Sequence, residues 1–152
     1  MVKLSNKSRY AVRAMFDIAF HGEGASAQIK DIAERQAIPM RFLEQIFQDL
    51  RKAGLVSGKR GPRGGYQLVR PAQKISLGDI LRALEGTLSV YSGDDERSTG
   101  DSASIAITDA AFRELSQRIE ACFDSLTLED LCERAQGQGV QKNAPAGYVY
   151  VI

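Results

Sequence analysis

Cationic side chains cluster in a glycine-rich run of the chain that reads LVSGKRGPRGGYQLV. Two short strand-like runs, at 55–57 and 66–69, flank a turn that carries Lys59, Arg60 and Arg63. This pattern predicts a β-hairpin with a positively charged tip. Such a tip can neutralise phosphates or enter the minor groove of a nucleic acid. A nucleotide-binding glycine loop is the alternative interpretation, but the run lacks the GxxxxGKS or GxxxxGKT spacing of that loop.

A second set of polar side chains lies in the segment before this hairpin. Pro39 opens a predicted helix, because proline fits the first helical turn, and the next turns carry Arg41, Glu44 and Gln45. Arg can pair with O6 and N7 of guanine, Gln with adenine, and Glu can accept a hydrogen bond from N4 of cytosine. Glu44 has an alternative role, as a solvated acid or as a partner of Arg41 three residues away. The set predicts recognition of base edges.

Residues that commonly carry catalysis or bind metals are sparse. The chain has one histidine, His21, and two cysteines, Cys122 and Cys132. No nucleophile is accompanied by a base and an orienting group, so we predict that the chain is not an enzyme. Two cysteines are also too few for a disulfide scaffold.

The charge is distributed unevenly along the 152 residues. Residues 1–75 carry 14 Lys or Arg against 6 Asp or Glu, a net charge of +8, whereas residues 76–152 carry 6 against 13, a net charge of −7. A basic half joined to an acidic half suggests a DNA-binding part and a part with another role. Chance asymmetry between solvated faces is the alternative.

No apolar run could span a membrane and no signal peptide is recognisable, so we expect the protein in the cytoplasm.

Three helices are predicted before the hairpin, over 5–21, 26–36 and 40–53. Apolar side chains recur in each at spacings of three and four residues, as on the buried face of a helix. In the third helix the predicted buried side chains are Phe42 or Leu43, with Ile46, Phe47 and Leu50. Two helices joined by a short turn are typical of a helix-turn-helix, whose second helix can enter the major groove. An ordinary helical hairpin is the alternative.

The second half of the chain predicts three further helices, over 76–86, 105–126 and 127–135. The long amphipathic helix needs a partner surface, and we interpret it as a dimerisation helix because symmetric operators require two-fold proteins. Packing on its own domain is the alternative. The predicted organisation is a winged helix-turn-helix domain at 1–90, a flexible loop at 91–104, a dimerisation helix with a short helix at 105–135, and a C-terminal tail at 136–152.

Four sequence motifs in the first 90 residues resemble those of the Rrf-type winged helix-turn-helix transcription repressors. The motifs are LSNKSRYAVRAM, LEQIFQDLRKAGLV, RGPRGGYQL and ISLGDILRALEG. The resemblance implies a mostly α-helical fold with a small β wing. It also implies a homodimer whose long C-terminal helices cross and whose two winged domains bind a palindromic operator in double-stranded DNA.

The resemblance further implies which residues contact DNA. The first helix would contact backbone phosphates through Ser5, Lys7, Arg9 and Tyr10. The helix-turn-helix would face the groove with Gln28, Met40, Arg41, Glu44 and Gln45, and the wing would contribute Arg60, Arg63 and Gly64.

The chain departs from one part of the family pattern. Cluster-binding members carry three cysteines in the loop that corresponds to residues 92–104, and this sequence has none there. Thiolates are the usual iron–sulfur ligands, and Cys122 and Cys132 cannot supply three or four of them in one chain. We therefore predict no iron–sulfur cluster and no other cofactor.

The C-terminal part resembles the cysteine-metabolism repressors of the same family, through FDSLTLEDL at 123–131 and the ending GYVYVI. That resemblance implies cysteine synthase as a partner, whose active site would accept Tyr150, Val151 and Ile152. The alternative is a short strand that packs on its own dimer. Two functions follow: a repressor of sulfur or cysteine genes, or a partner-binding regulator that acts mainly through its tail.

Overall fold

The computed structural model describes residues 3–22, 25–62, 64–93 and 99–142. Within these ranges the chain is mostly helical with one two-stranded antiparallel sheet, as predicted. The elements in chain order are α1 (Asn6–His21), α2 (Ile29–Gln36), α3 (Met40–Lys52), β1 (Val56–Lys59), β2 (Gly65–Leu68), a short 3-10 helix (Ala72–Lys74), α4 (Leu77–Glu85), α5 (Ser102–Ser125) and α6 (Leu128–Gly137). Over the described part of the chain, no helix combines the length and apolar character that a membrane span requires.

The helix-turn-helix consists of α2, a tight turn and α3. Ala37 closes α2 in the left-handed conformation, with φ of 51°, and Pro39 then caps α3. The second helix begins at Ile29, three residues later than the sequence predicts. Ala27 is held extended, because its N–H and C=O form two 2.8 Å hydrogen bonds with Tyr66 of β2, so it cannot join a helix.

The wing is the hairpin of β1 and β2, paired from Val56 with Leu68 to Lys59 with Gly65. The ring of Tyr66 stacks on that of Phe47 in α3, with centroids 4.5 Å apart. This stack and the pairing with Ala27 fix the wing against the helix-turn-helix.

The hydrophobic core lies between α1, α3 and α4. It includes Met15, Ile18, Ile32, Leu43, Ile46, Phe47, Leu50, Ile75 and Ile80, all fully or almost fully buried. Of the two alternatives left open for α3, Leu43 is the core residue, while Phe42 is 41% exposed. Phe42 instead lies beside Tyr10 of α1, with ring centroids 6.5 Å apart.

Helix α6 packs on the core of the first domain, whereas the sequence groups it with the dimerisation helix. Leu128 is fully buried in the main core, and Cys132 and Ala135 cover Phe20 of α1. The start of α6 is joined to the start of α4, because Leu128 N–H donates to Ile75 C=O at 2.9 Å. Long-range packing of this kind leaves no local signal in the sequence.

Candidate nucleic-acid interface

Helix α3 presents a polar face on the side opposite its core residues. Arg41, Glu44 and Gln45 are all exposed, as is the side chain of Met40. Leu43 and Ile46 on the other side are fully buried, so the orientation of α3 about its axis is set by the core. All four predicted groove-facing residues of α3 therefore reach solvent from one surface.

The first turns of α1 lie along the flank of α3. Lys7 Nζ forms an ion pair with Asp49 Oδ2 at 2.7 Å, and Tyr10 lies beside Phe42. Arg9 is exposed. The structure thus brings Lys7 and Tyr10 next to α3, and the contact of Lys7, Arg9 and Tyr10 with phosphates stays a prediction.

Ser5 is already engaged within the protein. It caps α1 by accepting a hydrogen bond from Ser8 N–H at 3.1 Å, and its own hydroxyl donates to Glu85 Oε1 at 2.7 Å. The hydroxyl of Ser8 donates to the same oxygen at 2.7 Å. These hydrogen bonds from Ser8 and Ser5 lower the pKa of Glu85 below its usual range. A carboxylate therefore occupies the N-terminal end of α1, where the helix dipole favours an anion.

The wing tip is closed by glycine. Gly64 N–H donates to Gly61 C=O at 2.8 Å, and a Cβ on residue 64 would lie 2.3 Å from the carbonyl oxygen of Lys59. Gly64 is thus required by the turn itself, while Arg60 is exposed at the tip. Arg63 lies outside the described residues.

Gln28 joins the helix-turn-helix to the wing. It is exposed, and its Nε2 donates to Pro62 C=O at 3.4 Å. Gln28 thus lies between the helix-turn-helix and the wing, and its contact with the groove stays a prediction.

A buried carboxylate of α1 is paired with the end of α2, and sequence reasoning missed it. Asp17 is fully buried and accepts hydrogen bonds from Arg35 Nη2 at 2.7 Å and Gln36 Nε2 at 3.0 Å. The hydrogen bond to Asp17 raises the pKa of the Arg35 guanidinium. The available signal was the position of Asp17 on the same stripe of α1 as Ala14 and Ile18, where a charge requires a partner.

The predicted tail residues Tyr150, Val151 and Ile152 lie outside the described residues, so the interaction with cysteine synthase stays a prediction.

Cys132 is buried and Cys122 is exposed. Burial raises the pKa of the Cys132 thiol, which disfavours the thiolate that metals bind. Among the described residues, no group of three His, Cys, Asp or Glu side chains could hold a metal ion.

A helix, a tight turn, an exposed polar helix and a basic hairpin together define the winged helix-turn-helix class of DNA-binding proteins. The family model Rrf2, described as an iron-dependent transcriptional regulator, matches residues 4–134. The chain belongs to this family of transcription regulators, which confirms the resemblance found in the sequence.

Relatives cover most of the chain. An HTH-type transcriptional regulator of Synechocystis sp. is 40% identical over 147 residues, which are 91% of this chain and 97% of the relative. The regulator IscR of Xenorhabdus nematophila is 39% identical over 137 residues, which are 89% of this chain and 82% of that protein. These relatives are regulators, in agreement with the prediction that the chain is not an enzyme.

Solved structures of two regulators are similar to this fold. CymR, the global cysteine regulator of B. subtilis, has a TM-score of 0.71 and 35% identity, covering 88% of this chain and 98% of CymR. IscR of T. potens has a TM-score of 0.69 and 36% identity, covering 93% of this chain and 94% of IscR.

Proposed function

We propose that the protein is a homodimeric, sequence-specific transcription repressor that works without an iron–sulfur cluster and controls sulfur or cysteine genes. The observation that carries the DNA-binding part is the common exposure of Arg41, Glu44 and Gln45 on a helix whose other side is locked in the core. The wing, stacked on that helix through Tyr66 and Phe47, supplies a second, basic element beside it.

Helix α5 supports the homodimer. Its 24 residues carry exposed apolar side chains on one side, at Ile107, Phe112, Leu115 and Ile119. Ile107 is 71% exposed and Leu115 51% exposed. An apolar stripe of this length on a long helix needs a partner, and a second copy of α5 would cover it and place two recognition helices for a palindrome.

The positions of the cysteines support the proposed absence of an iron–sulfur cluster. None lies in residues 92–104, where the cluster-binding members carry three, and Cys132 is packed against Phe20. We expect protein purified without oxygen to contain no stoichiometric iron or acid-labile sulfide, and to bind DNA equally before and after exposure to air. A visible absorbance band that bleaches in air, with loss of DNA binding, would contradict this part of the proposal.

The experiment for DNA binding starts by selecting the preferred sequence from random duplexes. The affinity of wild type and of Arg60→Ala for that sequence is then measured over a range of salt concentrations. We expect weaker binding by Arg60→Ala and a salt slope smaller by about one. Arg113→Ala is the matched control, because Arg113 is an exposed arginine that belongs to α5 and not to the wing. Equal binding by both variants and wild type would reject the assignment of the wing.

The sulfur and cysteine specificity is supported by the similarity to CymR, whose name describes a cysteine regulator, and by the sequences FDSLTLEDL and GYVYVI. We include cysteine synthase as a partner in the proposal. The test is a calorimetric titration of cysteine synthase with the full chain and with a triple alanine variant at Tyr150, Val151 and Ile152. Heat from the full chain alone supports the tail interaction, while no heat, or equal heat from both proteins, rejects it.

A further inference from the structure

The polar face of α3 extends beyond the residues that the sequence singled out. Gln48 and Lys52 are exposed, and they follow Arg41 and Gln45 at spacings of three and four residues. Side chains at such spacings lie on one face of a helix. Gln48 is therefore on the same outward surface as Arg41 and Gln45, one turn further along.

The neighbours of Gln48 in sequence are engaged elsewhere. Asp49 is paired with Lys7 at 2.7 Å, and Phe47 is buried beneath Tyr66. The side chain of Gln48 makes no hydrogen bond with any of the residues that the structure describes. An amide at the centre of a polar helix face thus keeps its donor and its acceptor available for a ligand.

The chemistry of this amide differs from that of the cations around it. A Gln side chain can donate to N7 and accept from N6 of one adenine, which gives a bidentate contact specific for that base. Lys52, one turn later, has only donors and suits a phosphate. Along the helix axis, Gln48 lies about 10 Å from Arg41, at 1.5 Å per residue, so the two side chains can reach base pairs about three steps apart.

We propose that Gln48 is a specificity-determining residue that reads one adenine in each half-site of the operator. This inference rests on the proposed function, since it needs α3 to lie in the major groove. Gln48 would contact a base pair further along the half-site than those contacted by Arg41, Glu44 and Gln45.

The test compares the sequences selected by wild type, Gln48→Ala and Lys52→Ala. We expect Gln48→Ala to lose its preference for adenine at one position per half-site, by about 5- to 150-fold, with the salt slope unchanged. Lys52→Ala serves as the matched control, and we expect it to bind all sequences more weakly and to lower the salt slope by about one.

A modified base tests whether N7 of the adenine is the atom that Gln48 contacts. Placing 7-deazaadenine at the affected position removes N7, which should weaken binding by wild type and leave Gln48→Ala unchanged. Gln48→Glu keeps a side chain of similar length but has only acceptor atoms, so it should shift the preference at that position from adenine towards cytosine. Retention of the adenine preference at every position by Gln48→Ala would overturn the inference. Failure of wild type to select any sequence would instead reject the proposed function, and the inference with it.

Discussion

Besides Gly64, the wing depends on Gly65, whose side chain must also be hydrogen. Gly65 lies so close to the segment before α2 that a Cβ would stand 2.1 Å from the carbonyl oxygen of Ala27. We expect Gly65→Ala to push the wing away from Ala27 and lose about 1–3 kcal/mol of unfolding free energy, together with a loss of DNA affinity. Gly58→Ala is the control in the paired strand, because its Cβ would meet only Tyr66 Cε1 at 4.0 Å. Urea unfolding and DNA titration of both variants check this, and equal behaviour would show that the close approach is dispensable.

The link between α1 and the helix-turn-helix depends on Asp17. Asp17→Ala would leave Arg35, whose side chain is only 16% exposed, without its partner. Removing one member of a buried pair costs about 3–5 kcal/mol, and the partial exposure of Arg35 puts the expected loss at the lower end. Glu34→Gln removes an exposed acid near the same guanidinium and should change stability by less than about 0.5 kcal/mol. Thermal unfolding distinguishes the two, and similar losses would mean that Asp17 acts only through local charge.

At the scale of elements, Glu85 links the end of α4 to the start of α1. Its pKa is lower in the folded protein than in the unfolded chain, because Ser8 and Ser5 donate hydrogen bonds to it. A lowered folded pKa means that this contribution is present above the ordinary Glu pKa of about 4.3 and is lost as the pH falls through the folded value.

We therefore expect wild type to lose unfolding free energy more steeply than Glu85→Gln on acidification below about pH 5. At neutral pH the variant should be slightly less stable, since the site is exposed to solvent. Asp109→Asn on α5 is a matched control without these hydrogen bonds to Ser5 and Ser8. Denaturant unfolding between pH 3 and pH 7 measures the difference, and parallel curves for wild type and Glu85→Gln would show that the hydrogen bonds do not favour the ionised form.

At the scale of the whole molecule, the proposed homodimer would place its two DNA-binding domains through contacts between the α5 helices. Replacing Leu115 by Lys places a charge in the middle of the apolar stripe, where burial against a second copy would desolvate it. We expect Leu115→Lys to sediment as a monomer and to lose most of its affinity for a palindrome, while retaining weak binding to a half-site.

Gln117→Lys is the control for this prediction, because it adds the same charge at an exposed polar position of the same helix. It should remain dimeric. Sedimentation velocity and titration with full and half operators give the two readouts. A dimeric Leu115→Lys would show that the stripe is covered by something other than a second copy.

The sequence predicted the elements well where the signal was local. Helices α1, α3 and α5 follow from apolar residues at spacings of three and four, and the wing follows from short strands around glycines. The exposed set Arg41, Glu44 and Gln45 was also predictable, because a helix with one apolar face must turn the other to solvent.

Other features depended on residues that are distant in sequence. The start of α2 at Ile29 was set by the pairing of Ala27 with Tyr66, and Phe42 was exposed because Leu43 took the place in the core. The bonding of Ser5 to Glu85 spans 80 residues. The periodic pattern of one segment carries no information about contacts with residues so distant in sequence.

The amino-acid sequence by itself determined the class of fold, the basic wing and the polar face of the recognition helix, since these depend on propensity, periodicity and residue chemistry within short windows. Only the tertiary structure decided that Asp17 is buried with Arg35, that Glu85 bonds to the start of α1, and that α6 joins the core of the first domain. The physical reason is that burial and pairing are set by which elements pack together, and packing is a property of the folded chain as a whole.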